Sequence, residues 1–220
     1  MIAVAIDGPA GAGKSTIAKA VAKKLNFLYV DTGALYRATG LKFSRLGFDT
    51  SLECDIEAVL KETEVTFKYI DGTQHVFLDG NDVSGEIRTP EASLMASAVS
   101  AKPPVRAFLL DMQRKIAREN NVIMDGRDIG TVVLPDAKIK IFLTASAEER
   151  AKRRYKELIE KGENVTFDEV LKDIEKRDYN DSHREIAPLK PAEDSVYVDT
   201  SDLNLEESIS TLIGIIESRI

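Results

Sequence analysis

The chain has 220 residues, of which 43% are hydrophobic and 30% are charged, and its formal net charge is -7. This length and composition fit one globular domain with room for a small insertion, and they exclude a disordered or collagen-like chain. The acidic balance argues against a general nucleic-acid or membrane surface, because both depend on clustered excess Lys and Arg.

Cysteine content and apolar runs set the expected compartment. Cys54 is the only cysteine, so neither an intramolecular disulfide nor a Cys-based zinc site can form. No apolar run approaches the roughly 20 residues of a membrane span, and the first run lacks the basic start of a signal peptide. We therefore expect a cytoplasmic protein.

Short apolar runs alternate with segments of helical periodicity along most of the chain. The predicted strands are 2–6, 27–30, 122–124, 139–143 and 196–198. The predicted helices are 14–25, 34–46, 104–119, 147–161, 167–181 and 205–220. Ser146 with Glu149, and Thr166 with Glu169, fit capping boxes at two helix starts. This alternation indicates an α/β fold with a mostly parallel sheet.

Segment 64–79 departs from this pattern. Its two apolar stretches flank Asp71 and Gly72, which predicts an antiparallel hairpin with a turn at Asp-Gly. A hairpin does not continue a parallel crossover, so we expect about 59–98 to be an insertion into the main domain.

A phosphate-binding loop is predicted directly after the first strand. Residues 8–15 match the G-x-x-x-x-G-K-[ST] pattern between a predicted strand and a predicted helix. In such a loop Lys14 reaches the β and γ phosphates of ATP, and the Ser15 hydroxyl binds Mg²⁺. The alternative, a glycine-rich turn that binds nothing, does not account for the full spacing. The expected ATP-binding residues are Gly8, Pro9, Ala10, Gly11, Ala12, Gly13, Lys14, Ser15 and Thr16.

The loops after two other strands are candidates for the acceptor site, because ligands of open α/β sheets bind beyond the carboxyl ends of strands. Segments 31–37 and 125–131 both combine acidic and basic residues. Asp31 and Asp125 are alternative supports for Mg²⁺. The chain has no Asn-Lys-x-Asp segment of the kind that reads guanine, so a small kinase is favoured over a GTPase.

Several segments together are similar to one family. They are residues 8–14, 31–37, 82–88, 125–133, 135–137, 140–143, 148–151, 177–178 and 187–189. In these segments the chain resembles the bacterial-type cytidylate kinase family nearly end to end. The resemblance implies a P-loop nucleoside-monophosphate-kinase-like three-layer fold with a five-stranded parallel sheet, a small antiparallel β insertion over the monophosphate site and a helical lid.

The same resemblance implies one kinase domain over 1–220. Its core would comprise 1–58, 99–150 and 166–220, with the inserted subdomain at about 59–98 and the lid at about 151–165. The implied reaction is direct in-line transfer of the γ-phosphate of ATP to CMP, and also to dCMP. We expect small-molecule substrates only, no nucleic-acid or membrane partner, and a monomer.

Residue roles also follow from the resemblance. The CMP phosphate would lie against Arg37, Arg127 and Arg184. Cytosine would lie near Thr32, Ser97, Arg106 and Asp128. The pentose would contact Arg177 and Asp181. The residues implied to act on the transferred group are Lys14, Arg127, Arg154 and Arg184. The chemistry is consistent, because an acidic acceptor beside an Arg donor matches the exocyclic amine and N3 of cytosine.

Two arginine-rich patterns have a second interpretation. Arg177, Asp181 and Arg184 would share one face of a continuous helix, as would Arg150, Arg153 and Arg154. Either face is also compatible with solvated ion pairs. Spacing alone favours ion pairs for the first set and does not decide for the second. The resemblance implies substrate binding for the first set, and for the second it implies lid arginines that close on the phosphoryl group.

Two alternative functions stay open at this point. One is another small P-loop kinase that phosphorylates UMP, AMP, shikimate or dephospho-coenzyme A. The other is a regulatory nucleotide-binding switch, which would hydrolyse ATP or GTP slowly and give no phosphorylated small molecule.

Overall fold

A computed structural model describes residues 1–160 and 162–220. The strands are β1 Ala3–Asp7, β2 Leu28–Asp31, β3 Val65–Ile70, β4 Thr73–Leu78, β5 Asn81–Asp82, β6 Val122–Gly126, β7 Ile139–Thr144 and β8 Val196–Asp199. The helices are α1 Lys14–Leu25, α2 Thr32–Arg45, α3 Ile56–Lys61, α4 Pro90–Ser100, α5 Pro103–Glu119, α6 Ala147–Glu160, α7 Phe167–His183 and α8 Leu205–Glu217. Residues Ile129–Val133 form a π turn.

The chain divides into two compact units. One comprises Met1–Tyr29 with Glu119–Ile220, and the other comprises Val30–Arg118. Among residues 1–160 and 162–220, no helix is both long enough and apolar enough to cross a membrane.

The first unit is built on a five-stranded sheet in the order β2, β6, β1, β7, β8. The central strand β1 pairs in parallel with β6 and β7, and β7 pairs in parallel with β8. The apolar core of this unit includes Val4, Ile123 and Ile141 from the strands, with Val21 of α1 and Leu212 of α8. The predicted α/β fold with a five-stranded parallel sheet is confirmed.

Only one of the two predicted capping boxes forms. At α7, Thr166 accepts from the Glu169 amide and the Glu169 carboxylate accepts in return. At α6, Ser146 accepts from the Glu149 amide at 3.2 Å, but the Glu149 carboxylate binds the Lys152 ammonium at 2.6 Å instead. The reciprocal half of the box is lost because both groups have other partners: the Ser146 amide donates to the Ser201 hydroxyl at 2.9 Å, and Lys152 binds the carboxylate. The predicted end of this helix, Lys161, lies outside the described residues.

The second unit contains the predicted hairpin. Strands β3 and β4 are antiparallel, and Ile70 pairs with Thr73 across the turn. Asp71 and Gly72 have positive φ angles of 50° and 72°. A two-residue type I′ hairpin turn requires positive φ at both positions. Strand β5 extends the small sheet to three strands in the order β3, β4, β5.

Gly8, the first residue of the phosphate-binding loop, lies against the backbone of β7. A Cβ at Gly8 would overlap the backbone carbonyl oxygen of Leu143, and neither backbone segment can move without disturbing the central strands. Gly8→Ala should therefore abolish folding or destabilise the protein by more than about 3 kcal/mol in urea unfolding. Gly214→Ala is the matched control, because Gly214 lies in α8 with open space around it. It should stabilise by about 0.5–1 kcal/mol, and equal effects at the two positions would contradict the clash.

Candidate active site

The phosphate-binding loop places Lys14 at the start of α1, directly after the loop that leaves β1. Its side chain is buried, and its ammonium donates to the Pro9 carbonyl at 2.7 Å. Burial lowers the pKa of Lys14 well below its usual value, and the nearby guanidinium of Arg127 lowers it further. Phosphate oxygens beside this group would favour its charged form, so the residue is suited to bind a polyanion.

Ser15, the next residue, binds a buried acid. Its hydroxyl donates to Asp125 at 2.8 Å, and the Tyr29 hydroxyl donates to the other carboxylate oxygen at 2.9 Å. A hydroxyl beside a carboxylate is an oxygen donor set of the kind that Mg²⁺ prefers. Residues 1–160 and 162–220 contain no cluster of three or more His, Cys, Asp or Glu side chains arranged to hold a metal.

Asp31, the other candidate support for Mg²⁺, has different partners. Its carboxylate accepts from the Ala34 amide at 2.9 Å and so caps α2, and it also pairs with Arg37 at 2.9 Å. A carboxylate with both oxygens used in this way is a structural cap. The geometry therefore favours Asp125 over Asp31.

Asp7, which the sequence analysis did not single out, lies close enough to Lys14 and Asp128 to interact with both charges. Its carboxylate lies at the end of β1 and accepts from the amides of Ile129 and Gly130, each at 2.7 Å. Burial raises the pKa of Asp7 to about 6, although the two amide donors and Lys14 oppose this and Asp128 adds to it. An apolar strand ending in Asp was visible in the sequence, but its distant partners were not.

Two predicted acceptor arginines of the first unit are paired with predicted acceptor carboxylates. Arg127 Nε donates to Asp181 at 2.8 Å, and Arg184 Nη2 lies 3.7 Å from Asp128 Oδ1. Burial raises the pKa of Asp181, but Arg127, Arg177 and Arg184 outweigh that and hold it below its usual value. The structure thus brings all five predicted acceptor residues of this unit into one network of charges.

Arg184 reaches this network by a different route from the predicted one. Helix α7 ends at His183, and Arg184 has the extended φ and ψ of -63° and 141°. The expectation that it shares a helical face with Arg177 and Asp181 is therefore wrong. The chain turns after the helix, where Arg184 Nε donates to the Ala187 carbonyl at 2.6 Å, and this turn directs the guanidinium to Asp128.

In the second unit, the predicted acceptor residues lie at the start of α2, near the end of α4 and near the start of α5. Thr32 is buried in the first turn of α2, and Arg37 folds back onto Asp31. Arg106 is buried, donates to the Ser100 carbonyl at 3.3 Å and lies over the Tyr36 ring at 5.9 Å. Ser97 is half-buried on α4.

The hairpin contributes one contact to this region that the sequence did not suggest. The Gln74 side chain of β4 accepts from the Asp31 amide at 2.9 Å and donates to the Asp31 carbonyl at 3.3 Å. The predicted insertion is thereby attached to the segment that carries Thr32 and Arg37.

The three arginines of α6 do not form one basic face. Arg150 is buried, donates to the carbonyls of Ala145 and Ala10, and pairs with Asp178 at 2.7 Å. Arg153 donates to the Thr200 carbonyl at 2.7 Å. The third, Arg154, is partly exposed and pairs with Glu157 at 3.2 Å. Arg150 therefore supports the phosphate-binding loop from outside, and only the exposed member resembles a lid arginine.

The family model and the curated relatives that match this chain carry the same name. The family model described as cytidylate kinase matches residues 4–218. The cytidylate kinase of Caldicellulosiruptor bescii is 51% identical over 96% of this chain and 94% of its own. The cytidylate kinase of Caldanaerobacter subterraneus is 54% identical over 94% of this chain and 91% of its own.

Solved structures that are similar to this chain are more distant in sequence and support the fold alone. An uncharacterised protein from Eubacterium ventriosum has a TM-score of 0.55 at 15% identity, covering 100% of both chains. Shikimate kinase from Bacteroides thetaiotaomicron has a TM-score of 0.50 at 14% identity, covering 98% of both chains.

Removal of the Arg150 guanidinium should destabilise the protein. Arg150→Met keeps the aliphatic contacts but leaves two buried carbonyls and Asp178 without their donor. We expect a loss of about 2–4 kcal/mol in urea unfolding. Arg154→Met is the matched control on the same helix, and it should change stability by less than about 0.5 kcal/mol because its ion pair is exposed. Similar losses in both variants would contradict a supporting role specific to Arg150.

The raised pKa of Asp7 predicts how the stability of the protein changes with pH. The folded-state value of about 6 lies above the usual 3.8, so between these values the folded protein binds more protons than the unfolded chain and loses stability as the pH rises. Asp7→Asn removes this titration. The stability of the wild type relative to this variant should therefore fall by about 2 kcal/mol between about pH 4.5 and about pH 7.5. A difference that is equal at the two pH values in urea titrations would contradict the raised pKa.

Proposed function

Because the chain belongs to the cytidylate kinase family, we propose that it transfers the γ-phosphate of ATP to CMP, and also to dCMP, giving ADP and CDP or dCDP. Relatives that carry this name match it over nearly their whole length. Within the site, the observation that supports the proposed reaction is a charge–charge interaction. Arg127, from the predicted acceptor site, is close enough to Lys14 of the phosphate-binding loop to lower its pKa, so donor and acceptor groups belong to one charged cluster.

On the donor side, ATP is proposed to bind along residues Gly8 to Thr16. Backbone amides of such a loop and the start of α1 attract phosphate oxygens. Lys14 already lies against the loop through its bond to Pro9, and it would exchange this carbonyl for phosphate oxygens.

Ser15 and Asp125 are the residues proposed to hold Mg²⁺ with the ATP phosphates. This proposal is supported by their direct hydrogen bond at 2.8 Å, which places the hydroxyl next to the carboxylate. Mg²⁺ held by these residues would neutralise charge on the phosphate oxygens. Tyr29 would keep the Asp125 carboxylate in its orientation through the second oxygen.

On the acceptor side, Arg37, Arg127 and Arg184 are proposed to bind the CMP phosphate. Each is already oriented by a carboxylate, Asp31, Asp181 and Asp128 in turn. A guanidinium has five N–H donors, so such a pair leaves donors for a phosphate. The Arg37 Nε is one such group, since it is buried and has no hydrogen-bond partner in residues 1–160 and 162–220.

The residues proposed to read cytosine are Asp128 of the first unit and Thr32, Ser97 and Arg106 of the second unit. A carboxylate accepts from the exocyclic amine of cytosine, whereas uracil presents an oxygen at that position. Arg177 and Asp181 would contact the pentose, where a carboxylate accepts from ribose hydroxyls.

Phosphoryl transfer requires positioning and charge neutralisation more than proton chemistry. Lys14, Arg127 and Arg184 would neutralise the group in transit. Arg154 would join them from the lid, about 151–165, because its exposed pair with Glu157 is easily exchanged. The inserted subdomain, about 59–98, which contains the hairpin, is proposed to bind the monophosphate, and segments 1–58, 99–150 and 166–220 are proposed to form the core. A monomeric state, a cytoplasmic location and the absence of a nucleic-acid partner stay predictions.

The reaction is tested by measuring ADP release from ATP and Mg²⁺ with CMP, dCMP, UMP, AMP or shikimate as acceptor. CMP and dCMP should be preferred by at least about tenfold in kcat/KM. Lys14→Met should lower kcat by about 100-fold or more with every acceptor. Equal ADP release with and without acceptors would contradict a kinase, and a preference for UMP, AMP or shikimate would contradict the assignment of the base site.

Asp128→Ala separates the acceptor from the donor. It should raise the KM for CMP by about tenfold or more, since one discriminating contact is worth about 1–3 kcal/mol, while the KM for ATP stays nearly unchanged. Initial rates with each substrate varied in turn measure both constants. A comparable rise in both KM values would place Asp128 on the donor side.

A further inference from the structure

The Asp7 carboxylate makes a two-point contact with a distant loop. Asp7 ends the central strand β1 and is 4% exposed. Its Oδ1 accepts from the Ile129 amide and its Oδ2 accepts from the Gly130 amide, both at 2.7 Å. These two amides open the π turn that follows Asp128. Asp7, which directly precedes the predicted ATP-binding loop, therefore caps a turn that directly follows Asp128 of the predicted CMP site.

This contact requires two acceptors. The first amides of a helical turn have no partner within the turn itself, and a carboxylate offers one oxygen to each. Gly130 allows the close approach, since a Cβ there would lie 3.3 Å from Asp7 Oδ2 and 3.2 Å from Lys140 Cδ. An amide or a hydroxyl at position 7 would leave one of the two buried donors unsatisfied.

The capped turn fixes the backbone of Asp128. The Asp128 carbonyl accepts from the amides of Val132 at 2.9 Å and Val133 at 3.2 Å, so the residue is bonded to the turn on its carboxyl side. On its amino side, Arg127 is held by Asp181. With the turn anchored to β1, the Asp128 side chain has little freedom beyond its own rotamers.

An ionised carboxylate in this position is costly to the fold. Burial and the neighbouring charge of Asp128 raise its pKa, and only Lys14 and the two amides oppose them. A neutral side chain would avoid this electrostatic cost. Buried groups that are costly in this way are concentrated at functional sites.

We propose that Asp7 is a positioning residue for base recognition, which through Ile129 and Gly130 holds Asp128 in the orientation that distinguishes cytosine from uracil. This inference rests on the proposed function, because it assumes that Asp128 reads the base. It assigns Asp7 to the acceptor, although the residue is adjacent in sequence to the ATP-binding loop.

The test compares Asp7→Asn with the wild type, using CMP and UMP as acceptors at saturating ATP. The carboxamide has nearly the same shape but only one acceptor, and its NH₂ would face an amide donor. The ratio of kcat/KM for CMP to that for UMP should fall by about tenfold or more, as the loss of one discriminating contact predicts, and the KM for ATP should change by less than about twofold. A variant that keeps the wild-type ratio, or one that loses both activities equally, would overturn the proposal.

Two further variants keep the test decisive. Asp55→Asn makes the same chemical change at the exposed cap of α3, where the carboxylate accepts from one amide only, and it should leave the ratio unchanged. Gly130→Ala keeps the Asp7 carboxylate, but its Cβ would lie 3.3 Å from Asp7 Oδ2 and 3.2 Å from Lys140 Cδ, so the contact must adjust by a few tenths of an ångström. It should lower the ratio in the same direction even where Asp7→Asn folds poorly. An unchanged ratio in folded Gly130→Ala would also overturn the proposal. A wild type without CMP preference would instead contradict the proposed function itself.

Discussion

Charges buried at the carboxyl ends of β1 and β6, and in the loops that follow them, are the constraint on which the first unit depends. Four charged side chains in this region are each at most 6% exposed, namely Asp7, Lys14, Asp125 and Asp128. An ionised group without partners in such a place costs several kcal/mol. Amides, hydroxyls, a carbonyl and opposite charges supply the partners. Displacing one of these loops would therefore leave a buried charge on another loop without its partner.

The same arrangement suits phosphoryl transfer. Dipoles and charges that are fixed in advance stabilise a moving phosphoryl group without reorganising. Here the ammonium of Lys14 and the guanidinium of Arg127 are near enough to repel each other, and this repulsion adds to burial in lowering the pKa of Lys14. Negative phosphate groups between such cations would relieve the repulsion. The carboxylates of Asp125, Asp7 and Asp181 already oppose this lowering of the Lys14 pKa, and added phosphate charge would act in the same direction.

The sequence predicted features whose signals are local. The loop from Gly8 to Ser15, the five parallel strands and the Asp71-Gly72 turn depend on spacing, period and turn residues within a few positions. The sequence did not predict contacts between residues that are far apart along the chain. The amide partners of Asp7 lie 122 and 123 residues away. Helix α4 was also missed, because its run of Ala and Ser has little apolar periodicity, although Thr89 and Pro90 provide an ordinary helix start.

The arginines of α6 show why periodicity alone does not assign a role. Arg150, Arg153 and Arg154 have the spacing of one helical face, yet their surroundings differ because the phosphate-binding loop and the segment after β8 cover the first two. Redirecting Arg150 to a phosphoryl group would leave Asp178 and two buried carbonyls without their donor. Redirecting Arg154 costs only an exposed ion pair, which contributes little to stability. The energetic difference between these neighbours, rather than their common pattern, makes Arg154 the arginine of this helix that can exchange its partner at the lowest cost.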